Sequence, residues 1–186
     1  MTPHIIDAFT TQPFHGNPAG VALIQGPYPP DGEMAALAKE LGFSETAFVQ
    51  PAGPEAFTLR YFTPTDEVDL CGHATIAAFT TLREAEGLAP GTYRASTLAG
   101  ELNIQVSDQA VWMDMAPPVE GRGFSPEEGA ELYAAYGLSA ADCPEGYAPT
   151  VVSTGLQDIL LPVSSMEALE KAQQDERTVT ELSKRY

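Results

Sequence analysis

Hydrophobic and polar residues change period several times along the chain, and each change predicts an element. His4 to Thr10 and Ala19 to Ile24 read as strands, separated by Thr11 to Pro18, a loop dense in turn formers. From Asp31 the period lengthens: Met34, Leu37, Ala38 and Leu41 fall on one helical face, with Asp31 as N-cap and Gly42 as the C-terminal stop. Alternation returns at Thr46 to Gln50 and at Phe57 to Thr63, where Phe57, Leu59 and Tyr61 interleave with Thr58, Arg60 and Phe62 before Pro64 ends the run.

The stretch Cys71 to Leu82 is different in kind. It is almost uncharged, and polar character returns only at Arg83, Glu84 and Glu86 ahead of Gly87. A helix apolar nearly all round is a buried helix. Three strands follow in close order, Thr92 to Leu98, Glu101 to Ser107 and Ala110 to Met115, with Ala99-Gly100 and Asp108-Gln109 as tight turns of an antiparallel meander. Together these predict an α+β lobe, a curved antiparallel sheet around a buried central helix. After Ala116-Pro117-Pro118 the pattern starts again. Ser125-Pro126-Glu127-Glu128 is a capping box opening a helix that stops near Gly137, strands follow at Ala148 to Ser153 and Asp158 to Val163, and Ser164-x-x-Glu167 opens a terminal helix. Two strands and two helices offer little sheet to cover them, so the expected division is an N-terminal lobe over residues 1–118 and a partial second lobe over 119–186.

Charge narrows the partners. Nine Lys and Arg against 26 Asp and Glu leave a formal charge of −17 in 186 residues. Nucleic-acid binding draws on Lys and Arg displacing counterions, so this balance speaks against it, and against a polybasic membrane-surface protein. No apolar run approaches the roughly 18 residues of a spanning helix. Met1 to Thr10 has neither a basic n-region nor an apolar h-region, and two cysteines in unrelated settings are no disulfide framework, which together predict a cytoplasmic protein.

Three segments could carry chemistry. Asp69-Leu70-Cys71-Gly72-His73-Ala74-Thr75 puts a thiol and an imidazole in the first turn of the buried helix. Free backbone N–H groups and the positive dipole end there suit an anion, and would lower the pKa of a thiol among them. A carboxylate-bearing substrate fits such a place; equally, Cys71 is a small buried hydrophobe and His73 a bonded core residue. In Ser44-Glu45-Thr46-Ala47-Phe48, Glu45 is either a solvated strand start or a partly desolvated acid/base whose pKa is raised. In Phe14-His15-Gly16-Asn17-Pro18-Ala19, Asn17 bonds either its own turn or a ligand. Cys71-x-His73 has no second pair of soft ligands at usable spacing, which speaks against zinc. No nucleotide or flavin fingerprint is present either, so the expectation is no metal and no cofactor.

These segments occur together and in order: Asp7-Ala8-Phe9-Thr10, Phe14-His15-Gly16-Asn17-Pro18-Ala19, Ser44-Glu45-Thr46-Ala47-Phe48, Arg60-Tyr61-Phe62-Thr63-Pro64 and Glu67-Val68-Asp69-Leu70-Cys71-Gly72-His73-Ala74-Thr75. In this the chain resembles the PhzF-like isomerase and epimerase family of phenazine biosynthesis, strongly to about Met115 and more loosely through Ser153-Thr154-Gly155-Leu156 to the end. The resemblance implies the diaminopimelate-epimerase-like fold, two similar lobes with the active site in the cleft between them. It implies a cofactor-independent isomerase that moves a proton on a small carboxylated substrate, with Glu45 as acid/base, His73 handling substrate and a homodimer as the assembly; with it, the turn and the helix start offer Asn17, Cys71 and Gly72 as the substrate-binding residues. In the related diaminopimelate epimerases two cysteines shuttle the proton, one at the position of Cys71; the partner is not matched here, since Cys143 lies in Asp142-Cys143-Pro144. Family members are longer, and their second lobe brings an Asp and a Gly-Ser-Ala type helix start. A chain ending at Tyr186 therefore reads as truncated, and the alternative is an incomplete fragment acting as a binding or oligomerisation module.

Overall fold

The computed structural model describes residues 3–155 and 157–186. Contacts divide the chain into two units, Met1–Met115 and Ala116–Tyr186, each with its own sheet and core.

The first unit is built around helix α2, Gly72–Glu86, in which no side chain is exposed before Glu84. Its alanines at 74, 77 and 78 are fully buried and let strands approach closely, while Phe79 meets Phe57 edge-on with ring centroids 5.3 Å apart. The buried hydroxyls of Thr75 and Thr81 donate to the carbonyls of Cys71 (2.7 Å) and Ala77 (2.9 Å), so neither is buried unpaired. Gly87, at φ 69°, closes the helix in the left-handed conformation that favours glycine.

Around α2 the described residues form an eight-stranded sheet: β1 (Pro3–Ala8), β2 (Asn17–Leu23), β3 (Thr46–Gly53), β4 (Ala56–Phe62), β5 (Glu67–Val68), β6 (Gly91–Thr97), β7 (Gly100–Val106) and β8 (Val111–Met113). The order is β1-β2-β3-β4-β6-β7-β8, with β5 alongside β4. Helix α2 packs against β1, β2 and β3 and also against β8 at the far end of that order, so the sheet curls around it. The α+β architecture is as expected, but the sheet is mixed, since β2–β3 and β4–β6 pair parallel. Each of these pairs is joined through a helix, and such a crossover returns the chain in the same direction. The β6–β7–β8 meander is antiparallel as predicted, although the first turn is Leu98-Ala99, since Thr97 pairs with Gly100.

Strand alternation sorts side chains between two cores. Ala47, Val49, Leu59 and Tyr61 face α2, whereas Phe48 and Phe62 join Ala22, Ile24, Met34 and Ala38 against helix α1 (Asp31–Leu41). Asp31 is not the N-cap of α1. Pro30 holds that position, and Asp31 instead accepts from Arg60 Nη1 at 2.8 Å. Arg60 also grips both carboxylate oxygens of Glu67, at 2.7 and 2.6 Å, which pins the two-residue β5 that no sequence pattern announced.

The second unit holds β9 (Val119–Gly123), α3 (Pro126–Ala134), β10 (Thr150–Ser153), β11 (Gln157–Leu160), α4 (Met166–Lys171) and α5 (Glu176–Arg185), with an antiparallel sheet in the order β11-β10-β9. The Ser125–Glu128 capping box forms with both of its bonds. Strand β9 escaped the sequence because every residue in it is exposed and none alternates. The terminal helix is two helices: Ser165 rather than Ser164 caps α4, and Asp175 caps α5. Phe124, Leu132, Ala135 and Leu182 form the unit's core. No helix among the described residues is long and apolar enough to cross a membrane.

The β1–β2 connection is held by a specific fit. Phe14, at φ 66°, donates its N–H to the Asp7 carboxylate at 2.7 Å, and a Cβ on Gly16 would stand 2.3 Å from the Ala8 carbonyl oxygen. Gly16→Ala is therefore expected to destabilise the chain by about 1–3 kcal/mol in urea denaturation. Gly32→Ala, at an exposed helical position with nothing within 4 Å, should cost nothing.

Candidate active site

The first α-helical bond at the start of α2 runs from Thr75 N to Cys71 O (3.0 Å), which leaves the N–H groups of Gly72, His73 and Ala74 without a carbonyl partner in the helix. A buried relay fixes this turn. The Tyr61 hydroxyl meets Thr75 Oγ1 at 2.6 Å, and Thr75 in turn bonds the Cys71 carbonyl. Glu45 arrives from the sheet. Ala47 and Val49 face α2, so the period of two puts Glu45 on the same face one step before β3 begins, and Gly20 N holds its carbonyl at 3.2 Å.

The result is a close group of three side chains. His73 Nε2 lies 3.4 Å from Glu45 Oε2, and His73 Nδ1 lies 3.3 Å from Cys71 Sγ. The His73 side chain is 11% exposed and that of Glu45 22%, so both are largely withdrawn from water while remaining reachable. Ser44 Oγ stands 3.5 Å from His73 Nε2, a neighbour the sequence reading did not single out. Its position directly before Glu45 was the available signal.

Cys71 departs from expectation. Burial pushes its thiol up to about 12; the backbone N–H groups of Ala74 and His73 pull the other way, and the nearby Glu45 carboxylate raises it further. The helix N-terminus thus acts in the predicted direction and loses to desolvation. The thiol keeps its proton, held between His73 Nδ1 and the Glu45 carboxylate.

Glu45, Cys71, Gly72 and His73, which the sequence names in two separate segments, are brought together. Asn17 is exposed at the start of β2, on the same sheet end as Glu45, because β2 and β3 run parallel with Gly20 opposite Thr46. One ligand atom each from Glu45, Cys71 and His73 lies within 4.8 Å of the others. The carboxylate of this group comes from the sheet and not from the Cys71-x-His73 turn, so spacing along the chain does not announce it.

A curled α+β sheet around a central helix is the diaminopimelate-epimerase-like class of fold. It is shared with a hydroxyproline epimerase from Agrobacterium vitis at 16% identity and a TM-score of 0.54, over 83% of this chain and 50% of that one. The chain belongs to the phenazine biosynthesis-like protein family (PhzC-PhzF), which it matches over residues 6–186. It is 36% identical over 179 residues to the uncharacterized isomerase YfhB of Bacillus subtilis, covering 95% of this chain and 61% of that protein. To the uncharacterized isomerase YddE of Escherichia coli it is 33% identical over 199 residues, covering 100% and 64%. The crystal structure of a Bacillus anthracis phenazine biosynthesis protein of the PhzF family superposes with a TM-score of 0.83 at 30% identity, over 100% of this chain and 64% of that one. The chain therefore spans between 61% and 64% of the length of these relatives.

The thiol assignment has a direct chemical consequence. Only the thiolate is nucleophilic, so at pH 8 iodoacetamide should modify native Cys71 at least about 100-fold more slowly than an ordinary free thiol, while the less buried Cys143 reacts. Both should react in urea. Peptide mapping that finds native Cys71 alkylated at the rate of a free thiol would contradict the assignment.

Proposed function

We propose that the chain carries the acid/base half of a cofactor-independent isomerase or epimerase that moves a proton between carbons of a small carboxylated substrate. The observation that carries this reading is the convergence of Glu45 and His73 on the start of α2, where the N–H groups of Gly72, His73 and Ala74 have no carbonyl partner in the helix. In the reaction, the Glu45 carboxylate takes a proton from a carbon activated by a neighbouring unsaturated group. The electron pair left behind delocalises into that group, and the same carboxyl returns the proton to a different carbon on the face it occupies. Removing a carbon-bound proton is slow unless the developing negative charge is stabilised, and the N–H groups of Gly72 and His73 supply fixed dipoles for it. Those amides and Asn17 bind the substrate carboxylate, and the His73 imidazole, with Nε2 towards Glu45, orients the acid/base and shares its hydrogen bond.

The family membership and the isomerase names of the relatives support this reading. The homodimer expected from the family belongs to it too and is checked by light scattering. The chemistry is tested by incubating the chain in deuterium oxide with a panel of small carboxylates bearing an activated C–H. Deuterium incorporation is expected, and Glu45→Gln should lower it at least about 100-fold with binding changed no more than about threefold. Unchanged exchange in that variant would overturn the role of Glu45. Binding without any exchange in the wild-type chain would favour a binding module instead.

A further inference from the structure

We propose that Glu45, Cys71 and His73 together form a binding site for one soft divalent cation, with Zn2+ as the best match. The donor set is the first argument. A thiol, an imidazole and a carboxylate are the S, N and O ligands that zinc accepts side by side, whereas magnesium and calcium ask for oxygen alone. Geometry is the second. Ligand atoms on a tetrahedral zinc, with bonds of roughly 2.0–2.3 Å, stand about 3.5 Å apart. Cys71 Sγ and His73 Nδ1 are already 3.3 Å apart, and all three groups offer an atom within 4.8 Å of the others. Closing the remaining gap requires only a rotation of the Glu45 side chain, which is long and 22% exposed.

The surroundings support the same geometry. Cys71 and His73 are fixed on the first turn of a buried helix, and the Glu45 backbone is held by Gly20. With Nδ1 as the ligand atom, the other ring nitrogen of His73 faces Ser44 Oγ at 3.5 Å, an acceptor that can orient the ring from outside the site. The partial positive charge at the helix N-terminus opposes a cation, but a thiolate and a carboxylate in direct contact with the ion neutralise it fully. Three protein ligands leave a fourth position for water, as in zinc sites that are not closed. The binding step balances simply: the Cys71 S–H proton goes to buffer, a metal–sulfur bond forms, and nothing is oxidised or reduced.

An ion held here occupies the atoms that the proposed proton transfer uses, so metal and substrate would exclude each other. This mutual exclusion rests on the proposed function; the site itself does not.

The test uses Co2+ as a spectroscopic probe on the 186-residue chain. Expected is a thiolate-to-cobalt charge-transfer band in the near ultraviolet that saturates at one equivalent and is displaced by Zn2+. The band should vanish in Cys71→Ser and persist in Cys143→Ser. Because a buried substitution can disturb folding, Glu45→Gln provides a second reading: it should keep the band and weaken affinity at least about 10-fold. Absence of a thiolate band, a band that follows Cys143, or unchanged affinity in Glu45→Gln would overturn the proposal. Deuterium exchange measured with a chelator present reads the proposed function separately, so either can fail alone.

Discussion

A helix with no exposed side chain before Glu84 has to be covered on every side, and its first amides, with no carbonyl partner within it, need another acceptor. The sheet meets the first demand by curling from β1 round to β8. The second is met in part by the Cys71 sulfur, which faces the N–H groups of His73 and Ala74, and it leaves an unusually concentrated set of polar groups where the helix begins. Everything that could be chemistry in the first unit follows from this. A carboxylate, an imidazole and a thiol gather there because strand period and helix start coincide.

The same arrangement decides which group is ready for proton chemistry. The helix dipole and two backbone N–H groups favour a thiolate at Cys71, yet desolvation and the Glu45 carboxylate outweigh them and hold the thiol near 12. Cys71 therefore enters as a hydrogen-bond donor, and the proposed function assigns the proton exchange to Glu45. His73 lies between the two, with one ring nitrogen towards each.

Much of this was legible in the chain. The near-absence of charge from Cys71 to Leu82 announced a buried helix, and the alternation at Phe57, Leu59 and Tyr61 fixed which side of β4 faces it. What escaped depended on tertiary pairing. The parallel partners of β3 and β6 come from crossovers that local pattern does not encode, and β5 exists because Arg60 reaches Glu67. Likewise the sequence could name Glu45 and Cys71-x-His73 separately, but only the parallel β2–β3 pairing and the curl of the sheet bring the carboxylate within 3.4 Å of the imidazole. The sign of the thiol shift was misread for a related reason: proximity to a helix start is visible in sequence, whereas the depth of burial is not.

The central claim is that the start of α2 is a preformed anion site flanked by an acid/base. An amide-resolved NMR titration of the chain with a small carboxylate tests it most directly. The N–H resonances of Gly72, His73 and Ala74 should move together and saturate, with little change in the second unit. Saturable shifts elsewhere with these three amides still, or no saturable shift at all, would contradict the account.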